Sequence, residues 1–148
     1  MMEILVAIDG SEHSGKVVDE AVKLAKETHA KILLMHVVPR VIPPEEFFSY
    51  VEKERVDVDP VNKYWEHIGE EILDRFGRQI APSGVQHEEI LKLGDASGRI
   101  LDVVKARKPT YVVVGLVGLH GLKRVAALGS VARRVIDNSP CPVLVVPV

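Results

Sequence analysis

A chain of 148 residues fits one domain, and folding a chain of this length buries about two thirds of the surface it exposes when extended, so neither a disulfide framework nor a structural metal is required. With 19 Lys and Arg against 21 Asp and Glu, no basic field exists to concentrate nucleic acid or anionic lipid, and neither is expected as a partner. The lone Cys141, between two prolines and ahead of a Val/Leu run, has no internal disulfide partner and reads as a small buried hydrophobe of a reducing compartment. Residues 1–9 are too short an apolar run, and too uncharged at the start, for a signal peptide, and no run approaches the roughly 18 apolar residues of a membrane span. A cytoplasmic location without membrane contact is expected.

In chain order, Ile4-Leu-Val-Ala-Ile8 is a continuous apolar β-type run ended by Asp9-Gly10-Ser11, the pattern of a strand buried on both faces of a parallel sheet. Val17, Val18, Ala21, Val22, Leu24 and Ala25 then recur at helical spacing, with Ser11 or Ser14 as candidate caps, and the helix ends near His29. Residues 31–38 form a second buried strand that Pro39, Pro43 and Pro44 terminate. Residues 40–60 predict a partly helical excursion whose Phe47, Phe48 and Tyr50 either cover a ligand or anchor a packed loop. Val61, Tyr64, Trp65, Ile68, Ile72, Leu73, Phe76 and Ile80 mark the core face of a long amphipathic helix. Residues 85–93 predict a third strand nearer the sheet edge, and a short helix follows that carries Ile100, Leu101, Val103 and Val104 inward. Residues 111–114 form a fourth strand, a helix runs through Val131, Val135 and Ile136, and residues 142–148 close the chain as a fifth strand.

This β-α-β-α-β-α-β-α-β order, with no internal repeat and no second domain, predicts an α/β fold: a doubly wound, five-stranded parallel sheet of order 3-2-1-4-5 with helices on both faces. The topological switch falls between strands one and four. Asp9 and Gly115, at the carboxyl ends of those strands, are expected to meet in the crevice.

A buried strand emptying into Gly115-Leu-Val-Gly118, with Gly129-Ser130 before the next helix, is a pattern that cradles phosphate: the glycines admit close backbone approach, and Ser130 caps the helix or donates to a phosphate oxygen. The plainer alternative is a strand-to-loop turn and a simple helix cap. Asp9 suits the acceptance of hydrogen bonds from a ribose, against an alternative role as a turn-forming Asp-Gly. Lys123 and Arg124 on the same loop could offset phosphate charge but stay outside the candidate site. Gly15-Lys16 is followed by Val17, so no P-loop is present, and the six histidines lack metal-ligand spacing. His36 reads as a hydrogen-bonded structural residue and Asp95 as a turn residue or helix cap. No nucleophile with its base is evident, so no catalytic residue is assigned.

Ile4-Leu-Val-Ala-Ile-Asp-Gly-Ser11, His36-Val37, Leu93-Gly-Asp95 and residues 115–147 together resemble the universal stress protein family over essentially the whole length. The resemblance implies an adenine-nucleotide alpha-hydrolase-like fold that binds ATP, with ADP or AMP as alternatives and Mg²⁺ or Mn²⁺ as the ion a triphosphate brings with it. It places Ala7 and Asp9 beside the adenosine, Val37 at the adenine, and Val114, Gly115, Gly118, Gly129, Ser130 and Val131 at the phosphates and ribose. The sequence departs from the family pattern in having ten residues, where nine are usual, between Gly118 and Gly129, and in carrying Leu116-Val117 where a small hydroxyl residue and a polar one are common. The resemblance also implies a homodimer paired through the last strand. Three functions follow as expectations: a nucleotide-dependent regulatory stress-response protein, a slow ATPase or phosphotransferase in the same crevice, and a dimeric interaction module that binds no nucleotide.

Overall fold

The computed structural model describes residues 1–39, 45, 52–53, 59–116 and 128–147. Its strands are β1 (Glu3–Ile8), β2 (Lys31–Val38), β3 (His87–Leu93), β4 (Tyr111–Gly115) and β5 (Val143–Val146). The helices are α1 (Ser14–Thr28), α2 (Asp59–Ile80), α3 (Ala96–Arg107) and α4 (Ser130–Asn138), with a 3₁₀ turn, Ala81–Ser83, after α2. All strand pairs are parallel, and the order β3-β2-β1-β4-β5 is the one the sequence predicts.

The apolar runs are continuous because the sheet is covered on both faces. Ile4, Val6, Ile8, Ile32 and Leu34 pack with Val17, Val18, Leu73 and Phe76 of α1 and α2, while Leu5, Leu33, Met35, Val112 and Val114 pack with Ile100, Val104 and Val135 of α3 and α4. Both cores therefore reach the carboxyl ends of β1, β2 and β4. Gly69 lets α2 lie close to the sheet, since a Cβ there would stand 2.6 Å from Leu91 Cδ1.

A charged clamp closes the opposite end of the sheet. Arg107 at the end of α3 makes a bidentate pair with Glu88 at 2.9 and 2.9 Å and also reaches Glu3 at 2.7 Å, while Lys31 donates to Glu88 at 3.0 Å. The Arg107 guanidinium, with Lys31 behind it, pulls the Glu88 carboxyl down to about 2, and Glu88 and Glu3 in turn raise Arg107 above its ordinary value.

Four local expectations are corrected. The N-cap of α1 is His13 and has no side-chain cap bond, because Ser14 turns back to the preceding loop. Tyr64, placed on the core stripe of α2, is 59% exposed and stacks edge-on against Trp65. Cys141 is half-buried, its sulfur beside the Ser139 hydroxyl. The last strand is Val143–Val146, shorter than residues 142–148. Most of the predicted excursion over residues 40–60, including Phe47, Phe48 and Tyr50, lies outside the described residues, as does Val148.

Candidate functional site

A cleft of about 720 Å³ opens at the carboxyl ends of the strands, and its wall draws on β1, α1, β2, α2, α3, β4 and α4. Ala7, Asp9, Val37, Val114, Gly115, Gly129, Ser130 and Val131, predicted far apart in sequence, all line it. Gly118, the remaining candidate, lies outside the described residues, as do Lys123 and Arg124. The cleft spans the switch point because β1 and β4 are neighbours and the helices α1 and α4 pack on opposite faces of the sheet.

The turn after β1 is built around Asp9. Its Oδ1 accepts from the Ser11 amide at 2.9 Å and from the Ser14 hydroxyl at 3.1 Å, and the Gly10 amide donates to Ser14 Oγ at 3.1 Å. Gly10 holds φ of 80°, which favours glycine, and a Cβ there would stand 3.0 Å from Ile72 Cδ1, so that side chain would have to shift to admit one. Among the described residues Asp9 Oδ2 has no hydrogen-bond partner, which leaves one carboxylate oxygen for a ligand hydroxyl. Asp9 thus forms the turn and faces the cleft at once.

The opposite wall is the start of α4. Gly129 is its N-cap, with φ of −60° and no side-chain cap bond, and the Gly129 amide itself donates to Leu116 O at 2.8 Å. The free donors are therefore the first amides of the helix proper, with the exposed Ser130 hydroxyl beside them, a polarity that favours an anion. Ser130 is the first helical residue, so its hydroxyl does not cap the helix. The described lining contains no Lys or Arg.

Asp95 links α3 to α4. It caps α3 by accepting from the Gly98 amide at 2.9 Å, and it pairs with Arg134 of α4 at 3.0 Å. The Gly98 amide first, then the Ser97 hydroxyl, hold its carboxyl below the usual aspartate value. Sequence reasoning found the Asp95 cap but not its second partner, since Asp95 and Arg134 share no pattern in the chain. It treated Ser14 only as a cap and gave no site role to Ile8, Ile72, Ile100 or Leu128, which form the apolar wall. Their core periodicity concealed them.

Among the described residues no three His, Cys, Asp or Glu side chains are grouped to hold a metal ion, and no helix is long and apolar enough to cross a membrane.

This geometry defines a doubly wound α/β protein with an apolar, anion-tolerant cleft at its switch point. The model of the universal stress protein family matches residues 1–147, and the chain belongs to that family. It is 37% identical over 145 residues to universal stress protein YxiE of Bacillus subtilis, covering 97% of each chain. It is 34% identical over 152 residues to universal stress protein MJ0531 of Methanocaldococcus jannaschii, covering 97% of this chain and 81% of the relative. The solved structure of MJ0577 superposes with a TM-score of 0.78 at 23% identity, covering 99% of this chain and 96% of that one. Structures of related fold are described as complexes: a universal stress protein with cAMP (TM-score 0.66, 23% identity), an Arabidopsis thaliana family member with AMP (0.67, 22%) and an Archaeoglobus fulgidus universal stress protein with dAMP (0.67, 21%). They cover 98% or 99% of this chain and 96%, 92% and 97% of their own.

Proposed function

We propose that this single-domain protein binds an adenine nucleotide, ATP with ADP or AMP as alternatives, in the switch-point cleft, and acts in the cytoplasm as a nucleotide-dependent regulatory protein of the stress response. The observation that carries the reading is one cleft with three chemistries in series: uncapped amides and a free hydroxyl at α4, a carboxylate oxygen at Asp9, and an apolar wall at the end of β2. The family members described with cAMP, AMP and dAMP support the choice of adenine nucleotides. Ser130 and the amides of Ser130 and Val131 would hold phosphate, Asp9 the ribose, and Ala7 and Val37 the base. Gly118 keeps its proposed place in the phosphate loop. With no three-residue ligand cluster among the described residues, a Mg²⁺ or Mn²⁺ ion would be held chiefly by the triphosphate itself.

Leu116 and the lengthened glycine loop favour a second reading, a homodimeric interaction module whose cleft holds no nucleotide. Denaturing freshly purified protein and quantifying released nucleotide per chain by mass spectrometry separates the two. Near-stoichiometric adenine nucleotide is expected. No released nucleotide, and no heat on titration with ATP and Mg²⁺, would give the interaction module the lead. Turnover of ATP above that of a Gly118 variant would instead favour the slow ATPase.

A further inference from the structure

Ser14 is only 2% exposed, stands at the first position of α1 and lines the cleft. Two hydrogen bonds meet at its hydroxyl, one with the Gly10 amide at 3.1 Å and one with Asp9 Oδ1 at 3.1 Å. An amide N–H can only donate, so it takes a lone pair of Oγ, and the hydroxyl proton is left to point at the carboxylate. The chain of bonds therefore has one direction, from the Gly10 amide through Ser14 to Asp9. Asp9 Oδ1 also accepts from the Ser11 amide at 2.9 Å. Two donors fill the lone-pair sites of one carboxylate oxygen, and Oδ2, without a partner among the described residues, keeps both of its own.

The two bonds to Oδ1 do different work. The terminal torsion of an aspartate is soft, and a single bond from the Ser11 amide would leave the carboxyl group free to turn about it. Ser14 supplies a second point of attachment, which fixes the carboxyl plane. A ribose presents its 2′- and 3′-hydroxyls side by side, two donors that an oxygen with two free sites can accept together. A carboxylate that still turned would have to be immobilised by the ligand at a cost in affinity, whereas one already held would not.

Resting on the nucleotide reading above, we propose that Ser14 is a positioning residue for the sugar: its hydroxyl proton holds the Asp9 carboxylate in the plane that offers Oδ2 to a free ribose diol, and Ser14 does not itself meet the ligand.

The test is a calorimetric titration of the full chain with AMP and 2′,3′-dideoxy-AMP, which share base and phosphate, repeated with Ser14→Ala, Asp9→Ala and the double variant. Wild type is expected to bind AMP about tenfold tighter than the dideoxy nucleotide, and this ratio should fall about threefold in Ser14→Ala through weaker AMP binding alone. In the Asp9→Ala background, where no carboxylate remains to be held, Ser14→Ala should change neither affinity. A turn that was merely loosened would weaken both nucleotides alike, so an unchanged ratio in a folded Ser14→Ala overturns the assignment. A further loss of AMP affinity in the Asp9→Ala background overturns it too, by making Ser14 a direct contact. Equal wild-type affinities for the two nucleotides take the ribose away from Asp9 and overturn the inference while leaving nucleotide binding intact. Binding of neither overturns the nucleotide reading and this inference with it. Should Ser14→Ala fail to fold, the Gly10 amide proton of wild type reads the same chain of bonds from its other end. A shift with AMP that the dideoxy nucleotide does not produce supports the assignment, and the same shift with both overturns it.

Discussion

Asp9 has two roles that a single substitution would confound. Oδ1 closes the turn to Ser11 and Ser14, Oδ2 has no hydrogen-bond partner among the described residues, and Asp9 lines the cleft. Asp9→Ala should lower nucleotide affinity about tenfold or more and cost about 1 kcal/mol of stability from the lost turn bonds, read by calorimetry and denaturant unfolding. Asp9→Asn keeps an oxygen for the turn but loses the charge, so it should unfold nearly like wild type while still binding more weakly. Equal affinity in all three proteins would remove Asp9 from the site. At this scale the sequence was partly legible. Asp9 stands at a strand end before Gly10, a signal for both a turn and a switch-point ligand, and the structure realises the first while leaving room for the second. The bond from Ser14 to Asp9 and the pairing of Arg134 with Asp95 were not legible, because a bond's second partner is set by how the elements pack and not by local spacing.

The elements were read more completely than the contacts between them. Each buried strand declares itself by an apolar run that no surface segment could carry, and β2 matches its predicted residues 31–38. The edges of elements were harder. Tyr64 stands one helical turn before Ile68 yet lies outward, its ring edge-on to Trp65. Helix ends offer a separate test. α1 and α3 stop at His29 and Lys108, non-glycine residues in the left-handed region at φ of 54° and 50°. Both side chains are exposed, so replacing them gives up little packing. His29→Gly and Lys108→Gly should each stabilise the fold by about 0.5–1 kcal/mol, the left-handed strain relieved less the added unfolded-state entropy. A lower denaturation midpoint in either variant would show that the strain is absorbed elsewhere.

At the scale of the whole molecule the two ends of the sheet differ in kind: a cleft at one, the Glu3, Lys31, Glu88 and Arg107 clamp at the other. The folded state holds Glu88 at about 2 against an ordinary 4.5, so its contribution is complete above pH 4.5 and is lost as pH falls from there toward 2. Its side chain is 38% exposed, and solvent screening keeps the contribution to about 1 kcal/mol. Glu88→Gln should therefore lower stability at pH 7 and flatten the loss between pH 4.5 and 2, measured by urea midpoints across that range.

The two edges of the sheet differ as well, and the difference bears on the proposed dimer. β3 carries Glu88, Glu89 and Lys92, charges that discourage a second strand from pairing with that edge. β5 has the sequence Val-Leu-Val-Val with no charge, and Leu144 is 40% exposed on it. An apolar edge with unpaired amides and carbonyls is suited to a two-fold copy of itself. Burying what remains exposed of Leu144 is worth only about 1 kcal/mol per copy, so strand pairing has to supply most of the association and a conservative truncation would weaken it only in part. Leu144→Lys is the sharper change, because the two-fold axis brings both lysines close together, and it should yield a monomer by light scattering at micromolar concentration with the wild-type circular dichroism retained. The wild type should scatter as a dimer. A wild-type monomer at that concentration would refute pairing through β5, and a dimeric Leu144→Lys would move the interface to another face.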